Sequence, residues 1–311
     1  SLYVSGKTAE LVVLDAETLD VRQRVELPSE EQHSAAPPVS DHILDPDKRG
    51  QLSFTGLVVS PNGQQIYLSN VNGSIKVFRV DASGAVSPSH SIALPAANAP
   101  KRSQEIPSGL AVTADGARLY VCGNLSNQLL ELDLASGSVL RTFDVGVAPF
   151  DVVLHDGFAY VSNWGGPRPK AGEVAGPAGR GTEVLIDPAT GIANRGSVSL
   201  IDLATGATRE VETGRHTGAL AVSPDGEYLV CAQAADDTLT VLETGTGAFV
   251  EKIWCRAKPS DLLGATPNAL AFHPKGDRLY VANGTQNAIA VLEFDPEERG
   301  ESHVLGMIPV G

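Results

Sequence analysis

The chain has 311 residues, 42% hydrophobic and 19% charged, the balance of a globular protein with an ample core. Its formal charge of −14 lacks the basic footprint that nucleic-acid backbones and anionic membranes select, so neither is expected as a partner. No apolar run approaches the roughly 20 residues of a membrane span, and three cysteines cannot form a disulfide framework.

Gly and Pro are spread along the whole chain, which punctuates many short strands rather than marking one linker. The chain opens inside a strand-like run, as a trimmed N-terminus would. Leu2–Gly6, Glu10–Leu19 and Val21–Leu27 read as three strands of an incomplete repeat whose first strand is missing. Residues 29–51 are polar and Pro-rich and read as a loop. Five fuller copies follow, starting at residues 55, 108, 150, 217 and 267. Each has an apolar run, a turn such as Pro61-Asn-Gly63 or Pro224-Asp-Gly226, and a second run around a tyrosine (Tyr67, Tyr120, Tyr160, Tyr228 and Tyr280). A third strand ends near an acid (Asp133, Asp202, Glu243 or Glu293), and a fourth closes the unit. The glycines supply the φ > 0 position that tight hairpins demand.

A four-stranded sheet that is apolar on both faces cannot bury itself alone, so copies must stack radially. The fold expected is therefore an all-β propeller of four-stranded antiparallel blades, five complete and one lacking its first strand, a single domain over 1–311 with about 23 strands. The parent ring would hold six or seven blades. The missing strand would come from residues beyond either end, leaving a gap or a partner-filled slot without it. The step from Tyr160 to Tyr228 is 68 residues against 40 from Tyr120 to Tyr160, which places a second insertion at residues 164–196. Long loops of this kind are where function concentrates.

One residue per blade is expected to converge on the central funnel. By repeat alignment these are Thr55, Ser108, Asp151, Thr217 and Asn268, with His216 and Phe150 beside them. This polar set suits a small polar ligand or a glycan, and equally suits ordered water. Trp164 and Arg168 open the second insertion, either as an exposed recognition patch or with the Trp anchoring a Pro-rich loop. The seven histidines show no ligand spacing, and His155 and His273 fall at turn positions, so no metal or cofactor is expected. Asp45-Pro-Asp47 lacks a calcium-loop pattern and Gly176–Gly181 lacks the Lys-Ser/Thr of a phosphate loop. Cys122, Cys231 and Cys255 lie in apolar runs and read as buried, inert thiols.

Through Leu119-Tyr-Val-Cys122, Ala159-Tyr-Val-Ser-Asn163 and Leu279-Tyr-Val-Ala-Asn283 the chain resembles the YVTN β-propeller repeat family. Ser162–Pro169, Val184–Gly191, Gly196–Leu203 and Val304–Gly311 are similar to the propeller of bacterial two-part proteins, in which an alkaline-phosphatase-like phosphoesterase domain follows. That resemblance implies a periplasmic or extracellular, non-catalytic binding or scaffold ring. Its partner would be another protein or its own missing C-terminal domain. Two alternatives stand beside it: a lactonase-type or metal-dependent hydrolase with its site in the funnel, and a structural surface-layer component.

Overall fold

The computed structural model describes residues 1–5, 10–27, 52–100, 102–178, 182–258, 260–297 and 301–310. The first insertion, with Asp45-Pro-Asp47, lies outside them. Every regular element among the described residues is a strand, and the fold is an all-β propeller with six blade sheets. The chain divides into two compact units, Ser1–Thr142 and Phe143–Gly311.

The first unit opens with a three-stranded sheet of β1 (Leu2–Ser5), β2 (Glu10–Leu14) and β3 (Val21–Glu26). The next blade is β4 (Leu52–Val59), β5 (Gln65–Asn70), β6 (Ser74–Val80) and β7 (Val86–Ala93). The third is β8 (Pro107–Val112), β9 (Arg118–Gly123), β10 (Gln128–Asp133) and β11 (Val139–Asp144), with the boundary between units inside β11. Successive residues of β5 serve opposite neighbours, because side chains alternate across a strand. Ile66 and Leu68 pack with Leu11, Val13 and Val25, whereas Tyr67 packs with Leu110, Leu119 and Val121. Continuous burial along β5 is the result, and it explains why the central strands read as unbroken apolar runs.

In the second unit β12 (Val147–His155) and β13 (Phe158–Gly166) are followed by an excursion carrying a hairpin, β14 (Ala175–Ala178) and β15 (Thr182–Leu185). The blade resumes with β16 (Ser197–Asp202) and β17 (Thr208–Glu212). The second insertion is thus partly ordered as strand, and it begins inside β13 rather than after it. The last two blades are β18 (Thr217–Val222), β19 (Tyr228–Gln233), β20 (Thr238–Glu243) and β21 (Phe249–Trp254), then β22 (Pro267–Phe272), β23 (Arg278–Asn283), β24 (Ala288–Glu293) and β25 (His303–Pro309).

Turn chemistry is the same from blade to blade. Gly63, Gly116, Gly226 and Gly276 take φ of +70 to +81°, and each N–H donates to the carbonyl three residues earlier. The two aspartates that end third strands are turn caps. Oδ1 of Asp133 accepts from Ser136 N at 2.9 Å, and Oδ1 of Asp202 from Ala204 N and Thr205 N at 2.8 and 3.0 Å. His273 caps its turn in the same way, with Lys275 N donating to Nδ1 at 3.3 Å. His155 differs from the solvated turn residue expected. Its ring rests on the Gly226 turn, where a Cβ would come within 2.6 Å of it. All three cysteines are buried and none is in a disulfide, and burial pushes the thiols of Cys231 and Cys255 far up from their ordinary pKa.

Candidate active site

Each complete blade begins with a bulged first strand. In the ladders, Leu57 pairs with Leu68, Leu110 with Val121, Val152 with Val161, Leu220 with Cys231 and Leu270 with Val281, and a register shift precedes each pair. Counting back from these pairs puts Thr55, Ser108, Phe150, Gly218 and Asn268 at one level. Asp151 lies one residue later and Thr217 one residue earlier. The repeat alignment treats all five polar residues as level, whereas the ladder pairs, with the same bulge in every blade, spread them over three successive positions. Asp151 instead shares its position with Gly56, Gly109, Ala219 and Ala269. One blade therefore carries a carboxylate where the other four carry glycine or alanine.

Asp151 is held by backbone. Its Oδ1 accepts from Val152 N at 2.9 Å and its Oδ2 from Leu220 N on β18 at 3.0 Å. Leu220 follows the bulge of β18, where an N–H leaves the ladder and requires a partner. Burial raises the Asp151 pKa to about 6, against the lowering effect of the two N–H donors.

His216 leads into β18 with φ of +55°, a left-handed backbone that Ala148 near the start of β12 and Thr266 ahead of β22 also adopt. Its ring stacks on Trp164 with centroids 4.9 Å apart and planes 14° from parallel, and Trp164 meets Phe150 at 5.4 Å. Gly218 lies against this layer, at a position where a Cβ would meet Phe150 and Trp164 in ordinary contact at 3.6 Å. Burial first, and then the Arg215 charge, hold the His216 pKa below its ordinary value, so the ring is neutral at pH 7. Asp151 thus reaches Leu220 on β18, while His216, which leads into that strand, belongs to an aromatic layer that is only half-buried. The carboxylate can take a proton, the neutral imidazole can donate a hydrogen bond and the aromatic layer can seat a flat ring.

The other expected residues are placed differently. Thr217 is fully buried, its Oγ1 held by Thr213 Oγ1 at 2.5 Å and Gly214 O at 3.1 Å. Ser108 belongs to the first unit, is buried, and accepts Ser69 Oγ at its carbonyl at 2.7 Å. Asn268 is exposed, and the side chain of Thr55 is outside the described residues. Trp164 stands apart from Arg168, whose Nε donates to Val145 O at 2.7 Å and whose Nη2 meets Asp144 at 3.1 Å. Among the described residues no three His, Cys, Asp or Glu side chains gather as a metal-binding group, and no helix is long and apolar enough to cross a membrane.

Residues 190–306, the stretch that contains His216 and β18, match the family described as lactonase, 7-bladed β-propeller. Two solved structures are similar over nearly the whole chain. A proposed 6-phosphogluconolactonase of Bacteroides fragilis has 19% identity and a TM-score of 0.64 over 97% of this chain and 77% of its own. A second one, from Bacteroides uniformis, has 14% identity and a TM-score of 0.63 over 97% and 78%. No curated protein matches the chain. Identities this low establish the propeller fold alone.

These findings correct the expected kinship. The lactonase match replaces the resemblance to YVTN propellers of phosphoesterase-associated proteins, and it overturns the expectation of a non-catalytic binding or scaffold ring. The physical reason lies in what the Leu-Tyr-Val runs encode. They are the buried second strands that any propeller blade requires, so they report the fold and not the family.

Proposed function

We propose that the chain is a lactonase-type hydrolase acting on a small sugar lactone, with Asp151 as general base and neutral His216 as hydrogen-bond donor. The observation that carries this reading is the lactonase match over residues 190–306, which includes His216. The carboxylate near pH 6 supports it, because a general base works best when its pKa lies near the operating pH. In the proposed step Asp151 takes a proton from water as the water oxygen bonds to the lactone carbonyl carbon. The ring C–O bond then breaks, and the released ring oxygen takes that proton back from Asp151, leaving a hydroxy acid, while the N–H of neutral His216 donates a hydrogen bond to the lactone carbonyl oxygen. Phe150 and Trp164 offer an apolar face to the C–H side of the sugar ring. The small polar ligand expected at the inner strands is, in this reading, the substrate.

The test is proton release from glucono-δ-lactone and its 6-phosphate. Hydrolysis above the spontaneous rate is expected, with kcat/KM rising through a limb at about pH 6. Asp151→Asn should lower kcat by about 10²- to 10⁴-fold. A wild-type rate equal to buffer, or an Asp151→Asn rate equal to wild type, would sink the proposal. The similar solved structures are bacterial, and three buried thiols tolerate an oxidising compartment. The proposal accordingly places the chain in the periplasm or outside the cell, which osmotic-shock fractionation checks.

A further inference from the structure

A cavity of about 530 Å³ opens on the fourth blade, lined by Asp144, Val145, Pro167–Lys170, Ser199, Thr208, Glu210 and Glu212. It shares no lining residue with the Asp151–His216 cluster, and its size is that of a small-molecule site (about 300–1,000 Å³). One side is built from the start of the second insertion, the other from alternate residues of β17 that face the same way.

Behind Ser199 lies a hydrogen-bonded chain. Asn163, completely buried, donates from Nδ2 to Ser197 Oγ and Ser199 Oγ, both at 3.0 Å. Ser197 Oγ in turn donates to Glu210 Oε1 at 2.5 Å. Ser199 Oγ also accepts from Gly146 N at 3.3 Å. Two acceptances use both lone pairs of that hydroxyl, so its proton is left as a donor. Asn163 Oδ1 is buried with no hydrogen-bond partner, a state that native structures rarely leave unfilled. Gly146 lets these groups come together, since a Cβ there would lie 2.5 Å from Glu210 Oε1 and 2.6 Å from Asn163 Cγ.

The charges nearly cancel. Arg168 is paired with Asp144 and Arg195 with Glu212, at 3.1 and 2.7 Å. Lys170 and Glu210 remain, one of each sign, and a net-charged ligand would gain little. Burial raises the Glu210 pKa, with Arg168 and Lys170 acting the other way. Val145, Pro167 and Pro169 supply apolar wall between the polar groups.

We infer that this cavity binds a neutral, monosaccharide-sized polyol. Hydroxyls both donate and accept, which matches the Glu210 acceptor and the Lys170 ammonium together, over a floor held by the fully buried Ser199. The C–H face of the ring matches the proline wall. This site is independent of the hydrolase reading.

The experiment titrates the full chain with glucose, galactose and inositol, and with gluconate and glucosamine as charged counterparts, by calorimetry and saturation-transfer NMR. Binding of at least one neutral polyol is expected, with hydrogen-exchange protection at 144–146, 167–170 and 208–212. Lys170→Ala, an exposed substitution that leaves the fold untouched, and Ser199→Ala should each weaken it by about tenfold. Asp151→Asn should leave it unchanged, so the hydrolase reading can fail without this one. Absence of polyol binding, binding of the charged sugars alone, equal affinity in both cavity variants, or loss in Asp151→Asn would each overturn the inference.

Discussion

His216 combines two demands in one residue. A left-handed backbone costs an L-residue about 1–2 kcal/mol, while its stack on Trp164 returns about 0.5–1.5 kcal/mol. Replacing it with Ala keeps the strain and removes the stack. Replacing it with Gly removes both, less about 0.4–1 kcal/mol for the freer unfolded chain. His216→Gly should therefore melt at or above His216→Ala, with both variants inactive on lactones. A glycine variant that melts clearly below the alanine variant would show that φ of +55° is not a strained state here. Strain retained beside a catalytic cluster is what functional sites tolerate and stable cores do not. His216 was visible in the sequence as a polar residue ahead of an inner strand, but its stacking partner was not. Trp164 is 52 positions away in sequence, and it had been grouped with Arg168 because the two are neighbours in the chain.

Between elements, stability comes from what each second strand sends across to the next sheet. Tyr160 on β13 packs with Leu220, Leu229 and Cys231, and its hydroxyl accepts Gly245 N at 3.0 Å from the turn after β20. Tyr67 on β5 occupies the same place in its blade, but its hydroxyl turns back to Gln65 on its own strand at 2.6 Å. Removing the hydroxyl of Tyr160 leaves a turn N–H without its partner and should cost about 1 kcal/mol. In thermal melts Tyr160→Phe should fall by about 2–4 °C, with Tyr67→Phe changing less; the reverse order would refute this division. The repeated tyrosine could be read from the sequence as a strand marker. Which hydroxyl bridges blades could not, because that depends on where the neighbouring turn arrives. The insertion at 164–196 was likewise legible by length alone, and pairing across β14 and β15 makes part of it a hairpin.

For the whole molecule, titration sets two opposing slopes. The Ser83 and Thr113 hydroxyls hold Asp81 and Asp115 below the ordinary carboxylate value, and backbone N–H donors do the same for Asp133, Asp187 and Asp202 and bring Asp15 to about 2. Their unfolded forms bind protons first as pH falls, so this stability is complete above about pH 5 and is lost from about pH 4 down to 2. Asp151 runs the other way. Its folded pKa of about 6 lies above the unfolded value, so its contribution is present in acid and disappears as pH rises through 6. Mutual repulsion within a chain of net charge −14 adds to the loss on the alkaline side. The melting temperature should peak between about pH 4 and 6, and a maximum at pH 7.5 or above would contradict this balance.

The sequence alone determined the repeat, the blade as its unit and the propeller that must follow, because short apolar runs with glycine turns are local signals and sheets apolar on both faces have to stack. It determined the acids of the third strands too, though not that they cap turns. Only the tertiary structure decided which polar residues meet. The ladder pairs put Asp151 two positions beyond the level of Thr217 in otherwise matching first strands. The fold then returns Asp151 to Leu220 and Trp164 to His216, pairs 69 and 52 positions apart. Periodicity carries no information about register between strands, and the site is made of register.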